Sequence, residues 1–206
     1  MPDPISWTLS GPYLLAALVG GYLLGSIPFG LLLARLAGLG DIRKLGSGNI
    51  GATNVLRSGR KGLAAATLLL DGGKGAVAVL LAANWGPDVQ LTAGLGALGG
   101  HLYPVWLRFK GGKGVATALG LLLALAWQVG LAACATWLLV AGLLRYSSLA
   151  SLLALAAVPL YAWWLVGDWQ LVQFAAILAA FVWLRHRANI ARLIKGEEPK
   201  IGSKTA

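Results

Sequence analysis

Long apolar runs, separated by short segments rich in glycine, proline and charged residues, make up most of the chain. Five runs are continuous and lie at residues 12–34, 62–83, 89–107, 149–166 and 169–184. A bilayer core of about 30 Å takes about 20 helical residues to cross. Each run therefore predicts a transmembrane helix.

A sixth apolar stretch, residues 114–144, lies between Lys113 and Arg145. Both cations are expected on the cytoplasmic side, because Lys and Arg flank spans mainly there. The stretch must then cross an even number of times, although 31 residues are few for two crossings. We therefore expect two short or partly re-entrant spans that turn near Gln128 or Gly130, which brings the total to about seven.

The distribution of charge sets the expected orientation. The three candidate outer segments hold Asp3, Asp88 and Asp168 and no Lys or Arg, whereas the first base, Arg35, follows the first apolar run. The positive-inside rule places the N-terminus outside and the C-terminus in the cytoplasm. Because no basic residue precedes the first run, we expect it to be retained as a span and not cleaved as a signal peptide.

Composition narrows the class of protein. Of the 206 residues, 58% are hydrophobic and only 12% are charged, against about 25% charged in an ordinary soluble domain. A water-soluble or disordered chain is excluded, and the sequence predicts one all-α membrane helical bundle over residues 1–206. The formal charge of +10 lies beside apolar runs, which favours a membrane face and anionic small molecules over nucleic acid. Cys134, the one cysteine, is expected to be a small packing residue.

Three segments interrupt the apolar pattern with glycine, a small hydroxyl or amide, and a cation: residues 45–62, 99–118 and 185–198. Glycine lets backbone N–H groups approach a ligand, and N–H groups at a helix N-terminus bind phosphate. The string KGGKG at 110–114, followed by helix-forming VATALG, is therefore a candidate phosphate cradle. It is not a Walker A loop, because Gly114 stands where that motif has Ser or Thr. The glycines of residues 95–100 are expected to pack helices closely.

Four ionisable or amide groups lie at informative spacings. Asp71 and Lys74 are three residues apart, deep in the second run, and are expected to form an ion pair that stabilises the bundle. His186 and Asn189 are also three apart, on one face of a predicted helix. His101, near the inner end of the third run, is either a buried hydrogen-bonding residue or a catalyst.

In these segments the chain resembles the bacterial acyl-phosphate glycerol-3-phosphate acyltransferase family (PlsY type). The matching strings lie in the family's order along most of the chain: GSIPFG (25–30), GSGNIGATNVLR (46–57), DGGKG (71–75), GHLYPVWLRFKGGKGVAT (100–117), RYSSLAS (145–151) and RHRANIARLIKGEE (185–198).

The resemblance implies an enzyme that transfers a fatty acyl group from acyl phosphate to the 1-hydroxyl of glycerol 3-phosphate. The products are lysophosphatidic acid and phosphate, in the first acylation of phospholipid synthesis. It implies a seven-span protein of the bacterial inner membrane with its motifs on the cytoplasmic side. We expect the two substrates and membrane lipid as partners, no cofactor, no metal, and a monomer.

The resemblance also assigns roles to individual residues. Catalytic positions are Ser47, Arg57, Lys113, Ser148, His186 and Asn189, and Glu198 matches a structural glutamate. The same segments supply the substrate-binding candidates Gly46, Asn49, Gly51, Thr53, Asn54, Lys74, His101, Lys110, Gly111, Gly112, Gly114 and Arg185. Asp71 is assigned a structural role.

Acyl phosphate is a mixed anhydride with a good leaving group, so we expect positioning and charge stabilisation to carry most of the catalysis. The base is left open between His186 acting alone and a phosphate of the substrate, and we favour the phosphate. Neither histidine has the Asp five residues later that acyl-CoA-dependent glycerophosphate acyltransferases use, since Trp106 and Ala191 stand there. An acylated Ser147 or Ser148 is a third possibility without an evident activating base.

Two other classes share some of these features. A transporter of phosphate compounds also has glycine-broken spans and cations, but its polar site lies near the bilayer centre. A lipid-binding scaffold does not require so dense a group of Ser, Asn and Gly. The motifs of this chain gather at one predicted face, which favours interfacial chemistry.

Overall fold

The computed structural model describes residues 7–203 and is all-helical there, without a β-strand. The helices are α1 (Trp7–Gly25), α2 (Phe29–Leu36), α3 (Ala52–Arg57), α4 (Lys61–Ala82), α5 (Pro87–Leu102), α6 (Val115–Leu125), α7 (Trp127–Leu144), α8 (Ser147–Leu165), α9 (Trp169–Arg185) and α10 (Arg187–Ile194). Short 3₁₀ turns cover Ile42–Lys44, Ala83–Trp85 and Val105–Leu107.

Several helices are long and apolar enough to cross a membrane. They form the stretches Ser10–Leu36, Lys61–Trp85, Trp127–Leu144 and Ser147–Leu165, and α9 with α10 makes a fifth that is bent by 64°. By contrast, α5 has 16 residues and α6 only 11, fewer than the ~20 of a full crossing. The prediction of an all-α membrane bundle is confirmed, and seven crossings with the N-terminus outside stay a prediction. Asp3, on which the outer N-terminus partly rests, lies outside the described residues.

The first predicted span is not one straight helix. Proline lacks a backbone N–H and disfavours helical backbone in the residue before it, so α1 ends at Gly25 and α2 starts after Pro28. At the break the carbonyl of Ile27 accepts hydrogen bonds from the Phe29 N–H at 3.1 Å and from Lys74 Nζ at 2.8 Å.

One other predicted boundary was wrong. The third span was expected to reach Leu107, but α5 ends at Leu102, because Tyr103 precedes Pro104 and takes a non-helical backbone. The stretch 114–144 is divided into two helices as predicted, with the break at Ala126, two residues before Gln128. Gly130 instead lies against the backbone of Leu123, where an added Cβ would be 2.6 Å from the amide nitrogen.

Close helix packing holds the bundle together. A Cβ on Gly96 would lie 2.3 Å from the Leu18 carbonyl oxygen, and one on Gly100 would lie 2.1 Å from that of Tyr22. The packing role predicted for residues 95–100 is thus confirmed at these two positions, which join α5 to α1. The central core packs Val79, Leu98, Leu121, Leu155 and Leu178, which come from α4, α5, α6, α8 and α9.

The two ends of the bundle differ in chemistry. At one end Gln170 donates a hydrogen bond to Asp88 at 2.8 Å, which joins the α4–α5 and α8–α9 turns. At the other end Thr53 and Ser147 hydroxyls lie 3.2 Å apart, and Arg185 reaches the 111–112 carbonyls. This second end carries the polar motifs and the functional cavity.

Candidate active site

A cavity of about 850 Å³ opens where α3, α8, α10 and the start of α6 meet. Ser47, Arg57, Lys113 and Asn189, which come from three separate segments of the sequence, all line it. The other predicted site residues in its wall are Asn49, Gly51, Thr53, Asn54, Asp71, His101, Gly114, Ser148, His186 and Glu198. The structure thus gathers most of the predicted site at one end of the bundle.

A smaller cavity of about 390 Å³ adjoins the main one and is strongly cationic. It shares Ser47, Asn49 and Lys113 with the main cavity. Its other lining residues are Arg43, Gly48, Lys110, Gly111 and Arg185. Since Lys113 belongs to both walls, one cation stands between two compartments.

The loop that carries Ser47 is held by Asn54. The Asn54 side-chain oxygen accepts from the Ser47 backbone N–H at 2.9 Å and from the Ser47 hydroxyl at 3.3 Å, and its amide donates to the Ile42 carbonyl. Asn54 is buried and uses both ends of its side chain within the protein. Asn54 therefore orders the loop, and its predicted contact with substrate, from the wall of the main cavity, stays a prediction.

Gly46 lines neither cavity but makes room for Arg57. Its φ is +52°, in the left-handed region that favours glycine, and a Cβ would lie 2.9 Å from Arg57 Cδ. The stem of Arg57 therefore rests on Gly46. No carboxylate within 7–203 pairs with the Arg57 guanidinium, which is available to an anion.

The glycines at 111 and 112 do not form the expected cradle. Their N–H groups donate to the carbonyls of Leu102 and His101, so those amides are not free for phosphate. A Cβ on Gly112 would lie 2.1 Å from His101 Nε2. These glycines are needed because the loop packs directly on the end of α5.

Arg185 likewise serves the loop. It donates to the carbonyls of Gly112 at 3.2 Å and Gly111 at 3.1 Å, and it stacks 5.2 Å from the centre of the Tyr103 ring. Arg185 lines only the smaller cavity, and its predicted contact with substrate is expected there. Its main structural contribution is to fix the loop that presents Lys113.

Lys113 and the N-terminus of α6 form the candidate anion site. Lys113 is half-buried and has no carboxylate within 4 Å in the described part of the chain. Burial lowers the pKa of its ammonium to about 8, helped by the charges of Arg192 and Arg57 and opposed by that of Glu198. Val115 and Ala116, which open α6, also line the cavity, and first-turn amides point their N–H groups at a ligand.

His186 stands at the bend between α9 and α10 and is buried. Its Nδ1 lies 2.8 Å from the carbonyl of Val182, so this nitrogen carries the proton and Nε2 is an acceptor. Burial and the charge of Lys113 lower the pKa of His186 to about 4. The ring is therefore neutral at pH 7.

Asn189, in the first turn of α10, is oriented by Glu198. Its amide donates to Glu198 Oε1 at 2.5 Å, and Arg192 donates to Oε2 at 2.7 Å. Burial works against ionisation of this carboxyl, but these donors outweigh it and lower the pKa of Glu198. The glutamate is ionised at pH 7. Because it accepts from the amide nitrogen of Asn189, the amide oxygen of Asn189 points away from Glu198.

The two serines at the start of α8 differ. Ser147 Oγ pairs with Thr53, whereas Ser148 Oγ is buried and makes no hydrogen bond within residues 7–203. Ser148 lies near enough to Glu198 to help lower its pKa, but outside hydrogen-bond geometry. Neither hydroxyl is bonded to a histidine or lysine that would activate it.

The ion pair predicted in the second span is confirmed. Lys74 Nζ lies 2.9 Å from Asp71 Oδ1, and both side chains are buried. Asp71 and His101 reach the floor of the cavity, with His101 Nδ1 3.7 Å from Asp71 Oδ1. Lys74 lines neither cavity, so the structure places this substrate-binding candidate with the bundle-stabilising pair.

The main cavity continues into an apolar slot that the sequence analysis missed. Its walls come from α6 and α7, with Leu119, Cys134 and Trp137. Leu68 of α4 and Leu138 of α7 line it too, and they are 50% and 65% exposed, so the slot opens sideways between these helices. Apolar residues give no sequence signal that separates a slot from a lipid-facing surface.

Arg43 was also missed, and it lines the smaller cavity while bonded to Asp41 at 2.6 Å. A cation two residues from a carboxylate is typical of an ion pair on the surface, so the sequence around Arg43 does not indicate a site. Within the described residues no group of three or more His, Cys, Asp or Glu is arranged to hold a metal.

A membrane bundle whose cationic site is joined to an apolar slot defines a class of protein that handles amphiphilic anions.

Comparison with known proteins identifies the family within this class. The glycerol-3-phosphate acyltransferase family matches residues 15–196. A glycerol-3-phosphate acyltransferase of Mesorhizobium japonicum is 61% identical over 93% of this chain and 97% of its own, and one of Paramagnetospirillum magneticum is 63% identical over 93% and 95%.

Solved structures agree. The crystal structure of PlsY, an integral membrane glycerol 3-phosphate acyltransferase in its glycerol 3-phosphate form, aligns with a TM-score of 0.87 at 40% identity, over 92% of this chain and 96% of that one. Its lysophosphatidic acid form aligns with a TM-score of 0.85 at 38% identity, over 92% and 95%. The chain therefore belongs to the glycerol-3-phosphate acyltransferase family, as the sequence motifs predicted.

Proposed function

We propose that the protein transfers a fatty acyl group from acyl phosphate to the 1-hydroxyl of glycerol 3-phosphate. The supporting observation is the continuity of the main cavity, which runs from Lys113 and His186 into the apolar slot beside Trp137. An acyl chain fits the slot, and its activated head then lies beside the cations. The related PlsY structures are a glycerol 3-phosphate form and a lysophosphatidic acid form.

The two compartments suit the two reactants. Acyl phosphate occupies the main cavity, with its chain in the slot. Glycerol 3-phosphate occupies the smaller cavity, where Arg43, Lys110 and Lys113 face its phosphate. The reacting groups then meet beside Ser47, Asn49 and Lys113, which line both cavities.

The reaction forms one bond and breaks one. The 1-hydroxyl oxygen attacks the acyl carbon, the carbon–oxygen bond to phosphate breaks, and phosphate leaves with the bonding electrons. Negative charge grows on the carbonyl oxygen and on the departing phosphate, where Lys113, Arg57 and the first amides of α6 stabilise it. Hydrogen-bonding groups on Ser47 and Asn189 orient the reactants.

The hydroxyl proton passes to a phosphate oxygen of the substrate. His186 is a weak base because its pKa is about 4, whereas a phosphate monoester has a second pKa of about 6. His186 Nε2 instead accepts a hydrogen bond from a hydroxyl and so helps to position it.

Substitution of His186 tests this assignment. We expect His186→Ala to bind glycerol 3-phosphate and to retain turnover reduced by less than about 100-fold, the lower end of what a general base contributes. Titration of binding and steady-state turnover measure the two effects separately. Complete loss of turnover with normal binding would show that His186 removes the proton.

We also propose that the site faces the cytoplasm of the bacterial inner membrane, where it supplies phospholipid synthesis. The clustering of Lys and Arg with the motifs at one end of the bundle supports this orientation. The protein is expected to act as a monomer without a cofactor or metal, since one chain supplies both compartments.

The deciding experiment follows phosphate release and lysophosphatidic acid in purified protein given palmitoyl phosphate and glycerol 3-phosphate. We expect release that depends on both substrates and falls by at least about 100-fold in Lys113→Ala. Palmitoyl-CoA replaces the acyl phosphate in a parallel reaction. Product from the thioester but not from acyl phosphate would reject acyl phosphate as the donor, and absence of lysophosphatidic acid from both reactions would reject the function.

A further inference from the structure

The last described residues, 197–203, form a segment that we call the C-terminal strap. It runs from the end of α10 back to the start of α8 and forms part of the wall of the main cavity. The family match ends at residue 196. Of the strap, only Glu197 and Glu198 belong to the family strings given above.

Two sets of bonds fix the strap. Near its start, Glu198 bonds Asn189 and Arg192. Further on, the Ile201 N–H donates to the Arg145 carbonyl at 2.6 Å, and the Arg145 guanidinium donates back to the Ile201 carbonyl at 2.9 Å. We call this reciprocal pair the Arg145–Ile201 clasp.

Backbone geometry adapts Arg145 to this role. Arg145 takes a left-handed backbone with φ of +63°, uncommon outside glycine, and this turns the chain between α7 and α8 towards the strap. Beside it, Lys200 lies over the Tyr146 ring at 5.6 Å. The strap thus follows the rim formed by residues 145–148.

The strap borders one compartment only. Six of its residues line the main cavity: Glu198, Pro199, Lys200, Ile201, Gly202 and Ser203. None of these lines the smaller cavity. If the proposed function holds, the strap covers the acyl donor and leaves the glycerol 3-phosphate compartment untouched.

We infer that the C-terminal strap shields bound acyl phosphate from water and so directs the acyl group to glycerol 3-phosphate. Acyl phosphate is reactive enough for water to replace the hydroxyl as nucleophile: water oxygen bonds the acyl carbon, phosphate leaves, and a free fatty acid forms. Exclusion of water from a closed site suppresses such side reactions. This inference rests on the proposed function.

The test uses the full chain with the clasp opened from either side. Ile201→Pro removes the N–H that bonds Arg145, and Arg145→Gly removes the guanidinium while tolerating the left-handed backbone. Ile201→Val keeps the backbone bond and an apolar side chain and is the matched control. Free fatty acid and lysophosphatidic acid are measured from radiolabelled palmitoyl phosphate.

We expect both clasp variants to raise the ratio of fatty acid to lysophosphatidic acid by about 2- to 10-fold, the range that one lost hydrogen bond gives. The KM for glycerol 3-phosphate should not change, and Ile201→Val should match the wild type. An unchanged ratio in both variants would overturn the role of the strap. If the wild type makes no lysophosphatidic acid, the proposed function itself fails, which is a distinct result.

Discussion

At the scale of single residues, the site depends on which polar groups are left without a protein partner. Asn54, Arg185 and Lys74 donate their hydrogen bonds to backbone carbonyls or to a carboxylate. Lys113 and Arg57 have no such partner in the described chain. The cations that remain unpaired are those that an anionic substrate can use.

Titration of Lys113 gives a pH dependence for substrate binding. Since the pKa of Lys113 is about 8, its positive charge is present below pH 8 and is lost as the pH rises through that value. We expect the KM for glycerol 3-phosphate to rise between pH 7.5 and about 9. Steady-state kinetics across this range measure it.

Lys113→Arg is the control, because the guanidinium stays charged throughout the range. The rise in KM should be absent from this variant, whatever its KM at pH 7.5. An identical rise in both proteins would assign the titration to another group.

At the scale of elements, glycine sets how closely the helices approach. Gly21 and Gly25 of α1 meet the carbonyls of Ala93 and Ala97 of α5 in the same way that Gly96 and Gly100 meet α1. The reciprocal pattern brings the backbones of α1 and α5 together. Through α5, it fixes the loop that begins at Tyr103 and carries Lys113.

Two neighbouring glycines of α1 provide a matched test of this packing. A Cβ on Gly21 would lie 2.1 Å from the Ala93 carbonyl oxygen, whereas Gly20 has nothing within 4 Å. We expect Gly21→Ala to destabilise the protein by about 1–3 kcal/mol, seen as a melting temperature several degrees lower. Gly20→Ala should leave the melting temperature the same or slightly higher, because alanine favours helix. Equal melting temperatures for the two variants would contradict close α1–α5 packing.

How much of this arrangement was predictable depends on the separation of the partners in sequence. The Asp71–Lys74 pair could be predicted because residues three apart share a helix face. The bonds from Arg185 to Gly111 and from Asn54 to Ile42 join distant residues, and a list of motifs shows that such residues matter without showing what they touch. Leu119, Trp137 and Leu138 could not be assigned at all, because a side chain facing a slot and one facing lipid are equally apolar.

At the scale of the whole molecule, the bundle has one polar functional end and one end with acidic turns. Asp88 and Asp168 lie at the end with the acidic turns and are joined through Gln170, whose side-chain amide donates to Asp88 and whose backbone N–H donates to Asp168. Charge alone places these two aspartates in the predicted outer segments. The structure brings them together at one end of the bundle.

Cysteine labelling tests the orientation. In a Cys134→Ala background, Asn84→Cys reports on the acidic end and Lys195→Cys on the functional end, both at exposed positions. We expect a membrane-impermeant maleimide to label position 84 in intact spheroplasts, and position 195 only after permeabilisation. The reverse pattern would place the active site outside.

The short length of α6 has a consequence for how a fatty tail enters and leaves the bundle. With only 11 residues, α6 spans about 16 Å at 1.5 Å per residue, so it cannot fill the interval between α4 and α7 through the full depth of a bilayer. On the proposed function, a fatty tail slides in and out through that gap while its head stays with the cations. We expect the new lipid to pass directly into the adjoining leaflet, so that no carrier has to lift it through water.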